Sequence, residues 1–381
     1  MTARDALPPL AGQIQSAEGE ILIDGGGRRI VDLASGGLGF GLPDIIGKVR
    51  EQAALMGLSN RVMMSEPLLR LCRELAALLP PTLSNAYVCS SGDEAFEGAL
   101  KLCKGLRPEL RCLAHVRGSE FGSLSYGRCL EDPDGHAALR RFLGLDTLTI
   151  ECDGPLPSAA ELGRCFALCY SPLVRRPDGA LVPLAADRLR QIAALARAAK
   201  VPLVCQASEI CLGASGVMFG HEAGGTDPDI LVLGGALGGR AIPVGCYLTS
   251  AERAYRVYGR SSPAKHGSTT GGNPLSCVAA LAALEHATRH DAPARFRALG
   301  QRIADALAGH VSSVTGGIVN LRLPDGIDAE SLPQRLLAAG VLVRAPRGRT
   351  LTLYPSAVTR TPTLNDALDT IRRSFDEHRN A

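Results

Sequence analysis

The sequence predicts an α/β protein, with a doubly wound, mainly parallel sheet in a large domain and a smaller α+β domain beside it. Three observations carry this. From Phe166 onward, short apolar runs alternate with long helical runs, the pattern of a sheet buried on both faces and crossed by helices. Ile21 to Leu33 reads as a β-hairpin turning at Gly25-Gly26-Gly27, because glycines supply the turn and β-branched residues flank it. After Ala292 come a helix, three strand-like runs and a last helix, a compact α+β unit. The length of 381 residues suits two or three structural units. The expected division is a large domain over 39–273, and a small one made of 1–38 with 274–381.

In order, helical spacing predicts Asp44–Leu55 and Glu66–Leu79, the second stopped by Pro80-Pro81, which cannot continue a helix. Ala86–Cys89 is a short strand, and Ser90-Ser91-Gly92-Asp93 turns into a helix from Glu94 to about Lys104. Cys112–Val116 is a strand. Gly127–Pro157 reads as a linker rich in Gly, Asp and Pro, interrupted by Ala137–Leu143 and a short strand at Leu148–Glu151. Phe166–Tyr170, Pro202–Cys205, Ile230–Leu233 and Gly245–Leu248 are strands, with Leu184–Ala199 a helix between the first two. Leu275–Arg289 is a long helix. Gly317–Leu323, Val341–Arg344 and Leu351–Tyr354 are the late strands.

Composition excludes several classes. The net charge is +3 and no Lys/Arg run is present, so a nucleic-acid surface is not expected. No apolar run reaches about 18 residues, the minimum for a membrane span, and the first 24 residues lack the basic and apolar segments of a signal peptide. The twelve cysteines form no CxxC pair and no metal-ligand spacing with histidine. Scattered in apolar runs, they read as reduced buried thiols of a cytoplasmic protein. No metal site is expected.

Several segments together, over nearly the whole chain, resemble the class III aminotransferases (the ornithine and acetylornithine aminotransferase type) of the fold-type-I pyridoxal-phosphate superfamily. They are Leu68–Ala76 followed by Tyr87–Lys104, Gly213-Ala-Ser-Gly216 with Met218-Phe219, Pro228-Asp-Ile-Leu231, and His266-Gly-Ser-Thr-Thr-Gly-Gly-Asn-Pro274. The resemblance implies a pocket for pyridoxal phosphate (PLP). Its chemistry needs a lysine amine that forms an imine with the cofactor and moves protons. The family's lysine position falls on Gly235. It needs a carboxylate at the pyridine nitrogen, and that position falls on Gln206, with Glu209 three residues on. It needs a phosphate cup at a helix N-terminus, and here the cup reads Ser91-Gly92-Asp93, whose carboxylate opposes a phosphate. The position of the stacking aromatic falls on Glu120 or Phe121. The arginine for the substrate carboxylate falls on Leu351-Thr352-Leu353, with Arg347 and Arg349 just before. In the family, Thr269 of the 266–274 loop binds the phosphate held by the other subunit.

These departures lead to the expectation that the ancestral PLP is lost and that no cofactor is used. Candidates for other chemistry or for ligand binding in the relic pocket are Ser91, Asp93, Cys205, Gln206, Glu209, Gly235 and His266, with no diagnostic nucleophile–base pair among them. Three functions stay open. The first is a small-molecule site without PLP. The second is a non-catalytic subunit that completes an active paralogue through the 266–274 loop. The third is a working aminotransferase with its lysine relocated to Lys265. A homodimer is expected, with a heterodimer as the alternative.

Overall fold

A computed structural model describes residues 13–59, 64–132, 134–259 and 267–376. Its centre is a seven-stranded sheet. The strand order is Asn85–Cys89, Gly245–Thr249, Ile230–Leu233, Leu203–Gln206, Cys165–Tyr170, Cys112–Val116 and Asp146–Ile150. The last five are mutually parallel, and Gly245–Thr249 runs antiparallel to both its neighbours. The central strands are apolar along their whole length because helices cover both faces. All six residues of Cys165–Tyr170 are buried, and so are all four of Leu203–Gln206 and of Ile230–Leu233. This is the predicted fold class.

The hairpin forms as predicted, Ile21–Asp24 against Arg29–Asp32. Asp24 accepts from the Gly26 and Arg28 amides and closes the turn. Val341–Leu342 joins this sheet in parallel beside Arg29–Asp32, so residues from both ends of the chain share it. Val311–Thr315, Ile318–Arg322 and Thr350–Leu353 make a separate antiparallel sheet. It packs with the helices Ala292–Ala306 and Thr361–Asp376 around Leu299, Val319, Leu351 and Leu364.

Several regions differ from the sequence expectation. Within 127–157 the helix Ala137–Leu143 forms as predicted and the strand lies at Asp146–Ile150, two residues earlier at its start than predicted and at the edge of the main sheet, but the end of the helix Ser125–Glu131 was not foreseen. An edge strand shows one flank to water, so Asp146, Thr147 and Thr149 weaken its apolar signal. The strands Ile14–Glu18, Leu173–Arg175 and Leu181–Pro183 were not foreseen. The first is mostly exposed, and the other two are three residues each, too short for a periodicity to register.

Candidate functional site

Loops leaving the C-terminal ends of parallel strands converge on one side of such a sheet, and ligands bind there. Here the segments after Val116, Tyr170 and Gln206 meet the start of the helix Gly92–Leu106 and the C-terminal segment 344–354. Together they enclose a cavity of about 730 Å³. Its lining includes Asp93, Glu120, Glu131, Gln206, Ser208, Glu209, Arg175, Arg344, Arg347 and Tyr354.

At the helix start, the Ser91 hydroxyl accepts from the Glu94 amide and caps the helix, satisfying one of its orphan donors. Glu94 reaches back to the Ser90 amide at 2.6 Å. The amides of Gly92 and Asp93 have no intrahelical partner and remain suited to an anion. Asp93 lines the cavity, but its carboxylate is held by Ser123, 2.9 Å from the amide nitrogen and 2.5 Å from the hydroxyl. A Cβ on Gly122 would lie 2.3 Å from Asp93 Oδ1. With φ at +97° as well, only glycine lets the loop lie on this carboxylate. Glu131 fastens the same loop by accepting from the Phe121 amide at 2.5 Å and the Gly122 amide at 3.0 Å. Burial pushes the Glu131 carboxyl up, and these two hydrogen bonds partly offset it.

Two ion pairs cross the cavity. Arg175 holds Glu120 at 2.7 Å, and Arg344 reaches Glu209 at 3.5 Å. Arg344 also lies over the Tyr354 ring, 4.2 Å from its centroid, and its Nε donates to Ala34 O. Arg347 lines the cavity as the sequence suggested. Arg349 does not, since it donates to the carbonyls of Leu323 and Pro324 and pairs with Asp325.

Gln206 is at the cavity but committed on both sides: Oε1 accepts from the Ser208 hydroxyl at 2.9 Å and Nε2 donates to Phe121 O at 3.3 Å. Phe121 is not a cavity wall; it is buried and stacks on Phe96 with 5.3 Å between centroids. That leaves Glu120 as the residue at the aromatic position. Cys205 is fully buried in its strand, and burial pushes its thiol up to about 12, which opposes the thiolate a nucleophile needs. Thr269 is exposed, and its neighbour Thr270 meets Ser90 Oγ at 2.8 Å within the same chain. Lys265 and His266 lie outside the described residues.

Gly235 does not reach the cavity. A Cβ on it would stand 2.5 Å from the Ser208 carbonyl oxygen, and its φ is +53°. Gly234 and Gly92 pack just as closely, with a Cβ on Gly234 2.5 Å from the Gly92 Cα, and one on Gly92 2.5 Å from Ser208 Oγ. Three glycines thus close on Ser208, which lines the cavity, and a side chain at position 235 would run into the Ser208 carbonyl. No lysine is among the described residues that line the cavity.

The sequence profile described as "Aminotransferase class-III" matches residues 2–111 and 176–375, which is most of the chain. The chain belongs to the class III aminotransferase family. It is 29% identical over 372 residues to an ornithine aminotransferase of Bordetella pertussis, covering 92% of this chain and 88% of that protein. It is 28% identical over 348 residues to an acetylornithine aminotransferase of Xanthomonas campestris pv. campestris, covering 88% and 81%. Its fold matches the solved ornithine aminotransferase of Toxoplasma gondii with a TM-score of 0.84 at 22% identity, over 100% of this chain and 93% of that one. That structure has PLP at partial occupancy in its active site. An amine transaminase of an uncultivated Pseudomonas species, solved in its PLP-bound form, matches with a TM-score of 0.81 at 19% identity over 96% and 94%.

The expectation that no cofactor is used is therefore corrected. Membership of this family, and relatives solved with PLP in the active site, point to that cofactor. The cavity has the volume and the helix start for such a ligand. The lysine-linked form does not fit at Gly235, where the Ser208 carbonyl fills the space. The profile match skips 112–175, the stretch that supplies Glu120, Ser123, Glu131 and Arg175. Sequence reading missed Glu131, Arg175, Arg344 and Tyr354, because their roles come from loops and strands distant in the chain. Arg175 ends a three-residue strand that no pattern revealed.

Proposed function

We propose that this class III aminotransferase-family protein holds its pyridoxal-type cofactor non-covalently, in the amine-bearing form (pyridoxamine phosphate), and does not run lysine-dependent transamination. The observation that carries this is the Ser208 backbone packed over Gly235, together with a cavity wall in which none of the described residues is a lysine. When bound, the cofactor supplies an electron-accepting ring. The chain's own residues bind and orient it. The helix start at Gly92 and Asp93 faces the phosphate, Glu209 and Glu120 attract an amine, and Gln206 and Ser208 form the polar floor. Arg175 and Arg344 balance those carboxylates. Twelve free thiols support a reducing, cytoplasmic setting. No helix among the described residues is long and apolar enough to cross a membrane.

The test is borohydride reduction of the full chain incubated with PLP, followed by peptide mass analysis. Reduction fixes an imine as a stable amine, and no adduct on any lysine is expected. Calorimetric titration should show pyridoxamine phosphate binding more tightly than the aldehyde form. An adduct on Lys265 or any other lysine would overturn the reading, as would equal binding of the two forms.

Asp93 tunes the phosphate end. Its carboxylate beside the helix start opposes a phosphate, and like charges a few ångströms apart cost on the order of a kcal/mol or more even near a surface. Asp93→Ser removes that charge and leaves the Ser91 cap in place. We expect it to tighten pyridoxamine phosphate binding by roughly tenfold, which is about 1.4 kcal/mol. Unchanged binding would mean that the hold of Ser123 keeps the carboxylate away from the phosphate.

A further inference from the structure

A second cluster of ligating side chains lies away from the cavity, where the helix Pro274–Arg289 packs on the helix Pro43–Leu55. His286 and His290 are four residues apart, one turn along the same helical face. Asp44 sits in the first turn of the facing helix. Its Oδ2 is 2.7 Å from His286 Nδ1, and the His286 and His290 rings are 4.4 Å apart, tilted by 49°. One donor atom from each of the three residues lies within 4.8 Å of the others.

A buried histidine paired with an aspartate needs no further explanation. His290 is what goes beyond the pair. Its ring brings a second imidazole donor beside the Asp44–His286 pair. The C-terminal end of the helix Pro274–Arg289 adds partial negative charge at the same place. His286 is 9% exposed, which fixes its ring, whereas Asp44 is 37% exposed and leaves room for water to complete a coordination sphere. Two imidazoles and a carboxylate are a donor set for late first-row divalent metals. Calcium and magnesium prefer all-oxygen sites. Of the nearby cations, Arg289 is paired with Glu285, and Lys48 follows Asp44 by one helical turn.

We propose that Asp44, His286 and His290 bind one such divalent cation and so staple the two helices together. The site is separate from the cofactor cavity and does not rest on the function proposed above.

Nickel is the probe to use, because the chain's many thiols would compete for zinc. Untagged full-length protein, stripped with a chelator, is titrated with nickel by calorimetry and then heated with and without the metal. We expect one site with micromolar affinity and a rise in Tm of a few degrees, since a ligand that binds only the folded state stabilises it. His290→Ala changes an exposed residue and should fold normally. It should weaken nickel binding at least tenfold and abolish the rise in Tm. His286→Asn should do the same while keeping a hydrogen bond to Asp44. A cobalt-loaded sample should lack the near-ultraviolet thiolate-to-metal band. No nickel binding tighter than about 100 µM, unchanged binding in His290→Ala, or a thiolate band with cobalt would each overturn the proposal.

Discussion

Replacing Gly235 by lysine is expected to destabilise the chain by about 2–5 kcal/mol and to leave it unable to form an imine. Two costs add. The residue sits at φ +53°, and the left-handed conformation costs a residue with a Cβ roughly 1–2 kcal/mol. The Cβ would also stand 2.5 Å from the Ser208 carbonyl oxygen. Overpacking of this kind typically costs about 1–3 kcal/mol, and here the obstacle is backbone rather than a flexible side chain. Gly235→Ala carries the same two costs without the amine, so both variants should lose about 3–5 °C in Tm for a chain of this length. Thermal unfolding of the wild type, Gly235→Ala and Gly235→Lys checks the cost. Borohydride trapping with PLP checks the chemistry. A lysine variant as stable as the wild type, or one that traps the cofactor, would show that the Ser208 segment yields readily and that the single residue alone was missing.

Acid is expected to remove about 3 kcal/mol of stability through one histidine. His115 is buried in Cys112–Val116, with its Nε2 3.0 Å from Thr149 Oγ1 on the edge strand. Burial, helped by the positive charge of Arg117, lowers its pKa from the ordinary 6.5 to about 4, while Glu151 pulls slightly the other way. The folded state therefore holds this imidazole neutral, and the unfolded chain takes up the proton first. Stability from this group is fully present above pH 6.5 and is lost as the pH falls from there to about 4. A shift of that size corresponds to about 3 kcal/mol. His115→Gln removes the titration and keeps a hydrogen-bonding group near Thr149. Urea unfolding at pH 7.5 and pH 4.5 should show the wild type losing markedly more stability than the variant. If the two lose the same amount, other groups govern the acid limb and His115 is solvated more than its packing implies.

Much of the architecture was legible because it rests on local rules. Apolar runs such as Cys165–Tyr170 and Ile230–Leu233 could only be buried strands. Gly25-Gly26-Gly27 could only be a turn, and Pro80-Pro81 had to end a helix. The stretch after Val116 was less legible. Asp146–Ile150 joins the sheet at its edge, and its pairing with Cys112–Val116 replaces the apolar pattern that an interior strand would show.

At the site, the sequence by itself determined the family, the places of Ser91, Asp93, Gln206, Glu209 and Gly235, and the absence of a lysine at position 235. Those follow from order and spacing along one chain. Tertiary structure decided how the pieces are used. It turned Asp93 onto Ser123, withdrew Cys205 and Phe121 into the core, and paired Glu120 with Arg175 and Glu209 with Arg344. It also placed the Ser208 carbonyl over Gly235 and brought Asp44 to His286 across two helices. Each of these contacts joins residues far apart in the chain or depends on a backbone angle. Spacing in sequence carries no information about either until the sheet has formed and its loops have met.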